Sequence, residues 1–362
     1  IINNNLINVN NETINDKSER ITTKIYDNKI NAILTYASEQ KNCLRIYIQG
    51  HGGNPFSYSY HNKLLKFFVS EGCDFLSMSM TGLGINEGSF SYPSRYGFIS
   101  LDKEMAKNHK NYSFFYDEDN PKLDPLTLFI SPHYKIIKSL TPNYENISIM
   151  GISGGGWYSV WLSALIPKIK FSVSYAGSLP MEYRKFQGIS GDWEQQDSQI
   201  YNYVSYWELY KLMTLNEKGK INRQAILVFN DEDNCCFFNP YAQHFKLKID
   251  KLNWKNFKVI IDENDKHIMN CFMFLQKMTQ DRNEYSSNVS DLTGGMGVLN
   301  HGHNHPEILR ARINFQKKKY LEVHKNILSP HLAKLSEKVS KILPKDLSVS
   351  FFPNSGAEAN EG

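Results

Sequence analysis

Long apolar runs are missing from this chain of 362 residues. None approaches the ~20 residues of a bilayer-spanning helix, which excludes a transmembrane helix. Charge of one sign is also scarce. The net charge is +4 and the lysines are scattered. The densest cluster, "KKK" at 317–319, reads as a solvated helix face, so nothing marks a nucleic-acid patch. Cysteines are few and poorly spaced. Cys43, Cys73, Cys235, Cys236 and Cys271 form an odd set without C-x-x-C or metal-ligand spacing. That argues against a disulfide framework and a zinc site, and favours a reducing, cytoplasmic location. The adjacent Cys235 and Cys236 read as two packed thiols. The first residue is Ile1 rather than Met, and "NSGAEANEG" ends the chain in mid-motif. A fragment of a longer protein is expected, which leaves room for a signal peptide upstream.

What is present suits a soluble core, with 41% hydrophobic residues in a length that allows one large domain or two moderate ones. Residues 1–20 are Asn-rich with few core-formers and read as a disordered leader. From Ile21, strand-like runs alternate with helical ones: "CLRIYIQG", then "NKLLKFFVSEG", "DFLSMSM", "NISIM", "KFSVSYAG", "AILVFND" and "FKVIIDEN". Such alternation implies an α/β fold with a mostly parallel sheet covered by helices on both faces. The stretch from about 178 to 220, with "GDWEQQD" and "YNYVSYWELYKLMTL", contributes no strand and reads as a helical cap insertion. Polar "TQDRNEYSSN" marks a linker. The expected division is a domain over 21–281, a linker over 282–290 and a second segment over 291–362.

"GISGGGW" at 151–157 follows a strand and precedes the helical "WYSVWLSALIP". A phosphate loop would need Lys-Ser or Lys-Thr after its last glycine, and Trp157 and Tyr158 stand there instead. A dinucleotide fingerprint needs a different glycine order. What fits is G-x-S-x-G, a strained strand-to-helix turn that presents Ser153 as a nucleophile. A hydroxyl needs a base, and the base a third group to orient it. "LVFNDEDNCC" offers Asp231, Glu232 and Asp233 just past a strand end. Asp233 fits best, lying far enough into the loop to turn back to the sheet edge. "VIIDENDKHIMN" puts His267 beyond the next strand, whereas His244 falls on a helix. "IQGHGGN" supplies a turn whose Gly52 or Gly53 amide, with that of Gly154, could face a developing oxyanion.

In this order, "GHGGN", "SMSMTGLGINEG", "GISGGG", Asp233 and His267 resemble the α/β-hydrolase superfamily over residues 22–280. The resemblance implies an eight-stranded, mainly parallel sheet with a Ser153–Asp233–His267 triad at its carboxyl edge. It further implies a serine hydrolase of esters, thioesters or amides that needs no cofactor. Met78 or Met80 stands where that family commonly carries Asp. The aromatic cap residues Tyr201, Tyr203, Tyr206 and Trp207 could wall an acyl pocket or form the cap's own core. A non-catalytic hydrolase-fold binding module is the rival reading.

"DLTGGMGVLNHGHNHPEILRA" and "FFPNSGAEANEG" resemble the start of class III aminotransferases. That resemblance implies pyridoxal 5'-phosphate as cofactor, its phosphate held at Ser355, Gly356 and Ala357 where a helix N-terminus opens. It makes His301, His303 and His305 structural rather than metal ligands, and implies a homodimer through this part. The Schiff-base lysine is expected beyond Gly362. The combined expectation is a hydrolase fused to a truncated aminotransferase, acting on a small acyl or amide substrate, with no nucleic-acid or membrane partner and no metal.

Overall fold

The computed structural model describes residues 9–94, 97–115, 126–184, 192–233, 235–237, 239–263 and 266–269, and in the C-terminal region chiefly 330–344. Two compact units divide the chain, Ile1–Thr279 and Gln280–Gly362. In the second, α9 (Pro330–Ser340) is described. The expected phosphate turn at Ser355–Ala357, Cys271, the lysines at 317–319 and His301, His303 and His305 lie outside the described residues.

The apolar, β-branched runs of the first unit become strands because their backbones pair while their side chains fill both faces. They are β1 (Val9–Asn15), β2 (Ser18–Ile25), β3 (Asn28–Thr35), β4 (Cys43–Gln49), β5 (Asp74–Ser79), β8 (Asn146–Ile152), β9 (Ile169–Tyr175), β10 (Gln224–Asn230) and β11 (Phe257–Asp262). Strands β6 (Phe90–Ser94) and β7 (Gly97–Leu101) form a separate hairpin. The nine-stranded order is β1-β2-β3-β5-β4-β8-β9-β10-β11. It is antiparallel from β1 to β5 and parallel from β5 to β11. The mostly parallel α/β sheet expected from the sequence is present, with one strand more than the resemblance implied.

The extra strand corrects the expected disordered leader. Residues 9–20 pair in β1 and β2, from Val9 opposite Thr23 to Asn15 opposite Ser18, with Arg20 on Glu12 at 2.9 Å. An edge strand needs backbone partners on one side only, so an Asn-rich polar run can serve there.

The helices are α1 (Ser59–Ser70), α2 (Lys103–Lys107), α3 (Leu126–Leu140), α4 (Gly154–Leu165), α5 (Met181–Arg184), α6 (Ser198–Tyr201), α7 (Tyr206–Leu212) and α8 (Tyr241–Leu252). Alternation along the parallel strands fills both faces. Tyr47, Phe75, Met150 and Val173 pack with Leu64 and Phe68 of α1 on one side. Ile46, Ile48, Ile149 and Leu227 pack with residues of α3, α4 and α8 on the other. Helices α5 to α7 occupy the stretch read as a cap insertion. No helix among the described residues is long and apolar enough to cross a membrane.

Strand pairing also overturns the reading of the cysteines as unpaired. Leu44 of β4 lies opposite Asp74 of β5, so the preceding Cys43 and Cys73 meet, 4.8 Å apart at Cα, and are disulfide-bonded. Cys235 and Cys236 are likewise bridged rather than free thiols. The cysteines therefore no longer argue for a reducing compartment.

Arg223, just before β10, is 2% exposed. Its guanidinium donates to the carbonyls of Ser163 (2.8 Å), Ile166 (3.3 Å) and Ile169 (3.1 Å) on one side, and of Leu212 and Leu215 on the other. The Ser163, Ile166 and Leu212 carbonyls stand at the ends of α4 and α7, where backbone acceptors run short of intrahelical partners and a positive charge complements both dipoles, while Ile169 opens β9 and Leu215 lies just past α7. Burial pushes the guanidinium down to about 10, still charged at neutral pH.

His133 of α3 lies fully buried between the carbonyls of Ser79 and Phe129, both 2.8 Å from ring nitrogens. Burial pushes it down to about 4, against the pull of those carbonyls. Unfolded, the same ring titrates near 6.5. As pH falls from about 6.5 to about 4, the unfolded chain therefore takes up the proton first, and stability is lost across that window. The expected loss from this group is about 2–3 kcal/mol. Urea unfolding of wild type and His133→Gln at pH 7 and pH 4.5 checks it. The variant should lose distinctly less stability on acidification, and equal losses would refute the assignment.

Candidate functional site

Strand β8 runs into Ser153, which turns the chain into α4. Ser153 has φ 55° and ψ −129°, a conformation that costs a non-glycine residue about 1–3 kcal/mol and persists only when its surroundings enforce it. They do so here. The Ser153 N–H donates to the Tyr175 carbonyl at 2.8 Å, and the Trp157 N–H to the Ser153 carbonyl at 3.1 Å. A Cβ on Gly155 would lie 2.1 Å from the Ile48 carbonyl, and one on Gly50 would lie 2.8 Å from Ser153 Cβ. Bare glycine backbone lets β4, its following loop and α4 close on the serine. Ser153 ends half-buried at the carboxyl end of a central strand.

Strands β10 and β11 are parallel neighbours, so the loops leaving them share the same edge of the sheet. They bring Asp233 and His267 together. Oδ2 of Asp233 is 2.8 Å from His267 Nδ1, and Oδ1 is 3.1 Å away. Oδ1 also accepts the N–H groups of Cys235 (2.8 Å) and Cys236 (3.0 Å). Burial pushes the Asp233 carboxyl up, but the hydrogen bond and charge of His267, with those two amides, outweigh it and hold the carboxyl below its usual range. An ionised Asp233 takes the Nδ1 proton of His267 as its donor, which leaves the lone pair on Nε2. That Nε2 is buried and has no hydrogen-bond partner among the described residues, so it forms no bond with Ser153 here. Of the other sequence candidates, Asp231 holds the Asn239 side chain, Glu232 is exposed, and His244 is exposed on α8.

Residues 50–54 lie against the elbow. The Gly53 N–H donates to the Gly50 carbonyl at 3.1 Å. Gly53 is therefore corrected as an oxyanion donor, because its amide is used inside its own turn. The Gly52 carbonyl accepts from Tyr58 Oη at 3.1 Å, and Gly154 stands in the first turn of α4, where N–H groups lack intrahelical partners. Gly52 and Gly154 remain as candidate donors. Met80, at the departure from the hydrolase pattern, packs on Gly154: a Cβ there would meet its sulfur at 2.5 Å.

Sequence reasoning missed a second cluster beside the elbow. The His51 ring lies close to Gly154, its Cε1 2.8 Å from where a Cβ would stand, and Nε2 is 3.3 Å from Asp192 Oδ2. Its ring centroid is 4.9 Å from that of His109. His109 Nδ1 is 2.9 Å from Glu194 Oε1, and Nε2 is 3.1 Å from the Thr81 carbonyl. Both partners are buried. Burial pushes Glu194 up, but His109 outweighs it and holds the carboxyl low. The acids come from "GDWEQQD" in the stretch read as a helical cap, and only tertiary packing reveals that Glu194 is enclosed. Arg184 holds the cap segments together, donating to Gln195 Oε1 at 3.0 Å and lying 4.6 Å over the Tyr206 ring. Among the described residues, His51, His109 and Glu194 could together hold a metal ion, whereas Cys235 and Cys236 beside His267 are bridged and offer no thiolate.

The family match begins close to the boundary between the two compact units. Residues 276–362 match the family model described as aminotransferase class-III. The corresponding curated relative is alanine–glyoxylate aminotransferase 2 homolog 2, mitochondrial, of Arabidopsis thaliana, 42% identical over 71 residues. That match covers 20% of this chain, and the chain spans about 15% of that relative's length. Solved structures similar to the chain include Est1E from Butyrivibrio proteoclasticus, at 13% identity and TM-score 0.48, covering 74% of this chain and 99% of that one. Acetyl xylan esterase 1 from Thermoanaerobacterium sp. JW/SL YS485 is similar at 16% identity and TM-score 0.47, over 77% and 88%. Pyrococcus horikoshii acylaminoacyl peptidase follows at 13% and 0.46, over 76% and 41%.

Proposed function

We propose that the first unit is a serine hydrolase that cleaves an ester, thioester or amide through an acyl-enzyme. Ser153 Oγ attacks the carbonyl carbon while His267 Nε2 takes the hydroxyl proton. Asp233 fixes the imidazole tautomer and stabilises the imidazolium that forms. The N–H groups of Gly154 and Gly52 receive the developing negative charge. His267 then returns the proton to the leaving group, and water releases the acid by the same steps in reverse order. The observation that carries this reading is the ordered His267–Asp233 pair, with an unused Nε2, at the same sheet edge as a serine held in a strained turn. His51 lies against Gly154.

Fluorophosphonate labelling of the full chain tests the reading without knowledge of the substrate. One adduct on Ser153 is expected. Asp233→Asn should keep the fold but lower ester turnover by about 10⁴-fold, because the amide favours the wrong tautomer of His267. A loss below tenfold would remove Asp233 from the mechanism.

The missing hydrogen bond between Ser153 and His267 favours a second reading, in which the first unit binds a substrate without cleaving it. Catalytic hydrogen bonds are often long before substrate arrives, so labelling decides between the two. For the second unit, the class III match implies pyridoxal 5'-phosphate, and we propose that Ser355, Gly356 and Ala357 hold its phosphate in the whole protein. The join would then place an acyl hydrolase and a transaminase on one chain. Ultraviolet–visible titration of a longer chain with the cofactor checks this part.

A further inference from the structure

We propose that His51, His109, Glu194 and Asp192 form a binding site for a divalent transition-metal cation of the Zn²⁺ class. The argument begins with the pair at the centre. His109 Nε2 faces the Thr81 carbonyl at 3.1 Å, so it carries a proton and donates it. That is how metal-ligating imidazoles are usually oriented: the outer nitrogen donates to a carbonyl and the inner one turns its lone pair to the ion. The inner Nδ1 then faces Glu194 Oε1 at 2.9 Å. A lone pair and a carboxylate oxygen repel at that distance unless a proton or a metal cation serves both.

A shared proton satisfies only those two atoms. Glu194 Oε2 and His51 Nε2 are buried and make no hydrogen bond, although Asp192 Oδ2 lies 3.3 Å from that nitrogen. One cation among the four side chains takes one donor atom from each, which serves His109 Nδ1, His51 Nε2 and a Glu194 oxygen together. The ligand atoms of His51, His109 and Glu194 all lie within 4.8 Å of one another. Tetrahedral zinc with bonds of ~2.0–2.2 Å needs ligand atoms roughly 3.3 Å apart, so small side-chain movements complete the shell. Two imidazoles and two carboxylates suit zinc better than calcium or magnesium, which prefer oxygen alone. Entry is open from one side. His51 and Asp192 are 33% and 41% exposed, whereas His109 and Glu194 form the closed floor.

The ligands come from three places: the loop after β4, the segment that follows α2, and the cap. A bound cation would tie residues 192–194 of the cap to the loop that carries Gly52. The proposal stands whether or not Ser153 is a nucleophile, because its readout is binding. The full chain, stripped with a chelator, is titrated with Zn²⁺ by calorimetry and with Co²⁺ by visible absorption. One equivalent of Zn²⁺ should bind, with a rise in thermal midpoint, and Co²⁺ should give the intense d–d bands of a tetrahedral site. His51→Ala should weaken Zn²⁺ at least 10–100-fold, the loss that even outer-shell changes cause. Glu194→Gln should do the same. Should that variant not fold, His51→Ala carries the test, because it leaves the buried His109–Glu194 pair intact. His267→Ala should leave binding unchanged. No Zn²⁺ binding to wild type, unaltered binding to His51→Ala, or binding lost with His267→Ala each overturns the site.

Discussion

Replacing Ser153 with alanine is expected to abolish fluorophosphonate labelling and lower ester turnover by roughly 10⁴–10⁶-fold, while the protein stays folded. The size follows from how the proposed triad would work. Without Oγ there is no acyl acceptor, and the proton acceptor on His267 has nothing to activate, so the remaining members contribute little singly. What persists is electrostatic help from the Gly154 and Gly52 amides. Stability should not fall and should rise slightly. Ser153 is the residue held at φ 55°, its side chain makes no hydrogen bond in the turn, and alanine occupies less of a crowded elbow. The measurement is labelling stoichiometry beside a thermal scan. Retained labelling at another serine would move the nucleophile elsewhere. Retained hydrolysis without labelling would end the serine mechanism.

The largest stability effect is expected at Arg223. In Arg223→Met, the carbonyls of Ser163, Ile169 and Leu215 lose this donor, while those of Ile166 and Leu212 keep the N–H groups of Ile169 and Leu215. A buried acceptor left alone costs about 1–3 kcal/mol. Water recovers part of that, so a net loss on the order of 4 kcal/mol is expected, at the high end for a single substitution. For a domain of this size it corresponds to a fall of about 10 °C in thermal midpoint. Arg223→Lys should recover little, because one ammonium cannot reach the ends of both α4 and α7. A midpoint within 2 °C of wild type, or full rescue by lysine, would show that the carbonyls find other partners.

Much of this arrangement could be read in the sequence, for a definite reason. In β4, β8, β10 and β11 the apolar runs are local, and so are the turn residues that follow them. The elbow and the loops carrying Asp233 and His267 were therefore visible one segment at a time. Choosing Asp233 among three neighbouring acids needed only its place in the loop, and it is the one that meets His267. What was missed depends on contacts between distant segments. Strand β1 has no apolar alternation because it is held by backbone pairing to β2. Cys43 and Cys73 are 30 residues apart, and only the pairing of β4 with β5 brings them together. Glu194 looks like a surface acid until His109, 85 residues earlier, encloses it. Arg223 looks like one more scattered charge until two helix ends converge on it. Gly53 carries the same sequence signal as Gly52, and the single bond that commits its amide is visible only in three dimensions.

The order of the parallel strands sets a schedule for reactivity. The elbow needs β4, β8, α4 and the Tyr175 carbonyl of β9, all made early in synthesis. His267, the proposed base, arrives only after β11, at the far edge of the sheet. A ribosome adding 5–20 residues per second releases Ser153 on the order of ten seconds before His267. Through that interval the growing chain can hold its serine in place with nothing to deprotonate it. If the proposed mechanism holds, acyl groups in its surroundings would meet an inert hydroxyl, and self-modification would wait until β11 is in register.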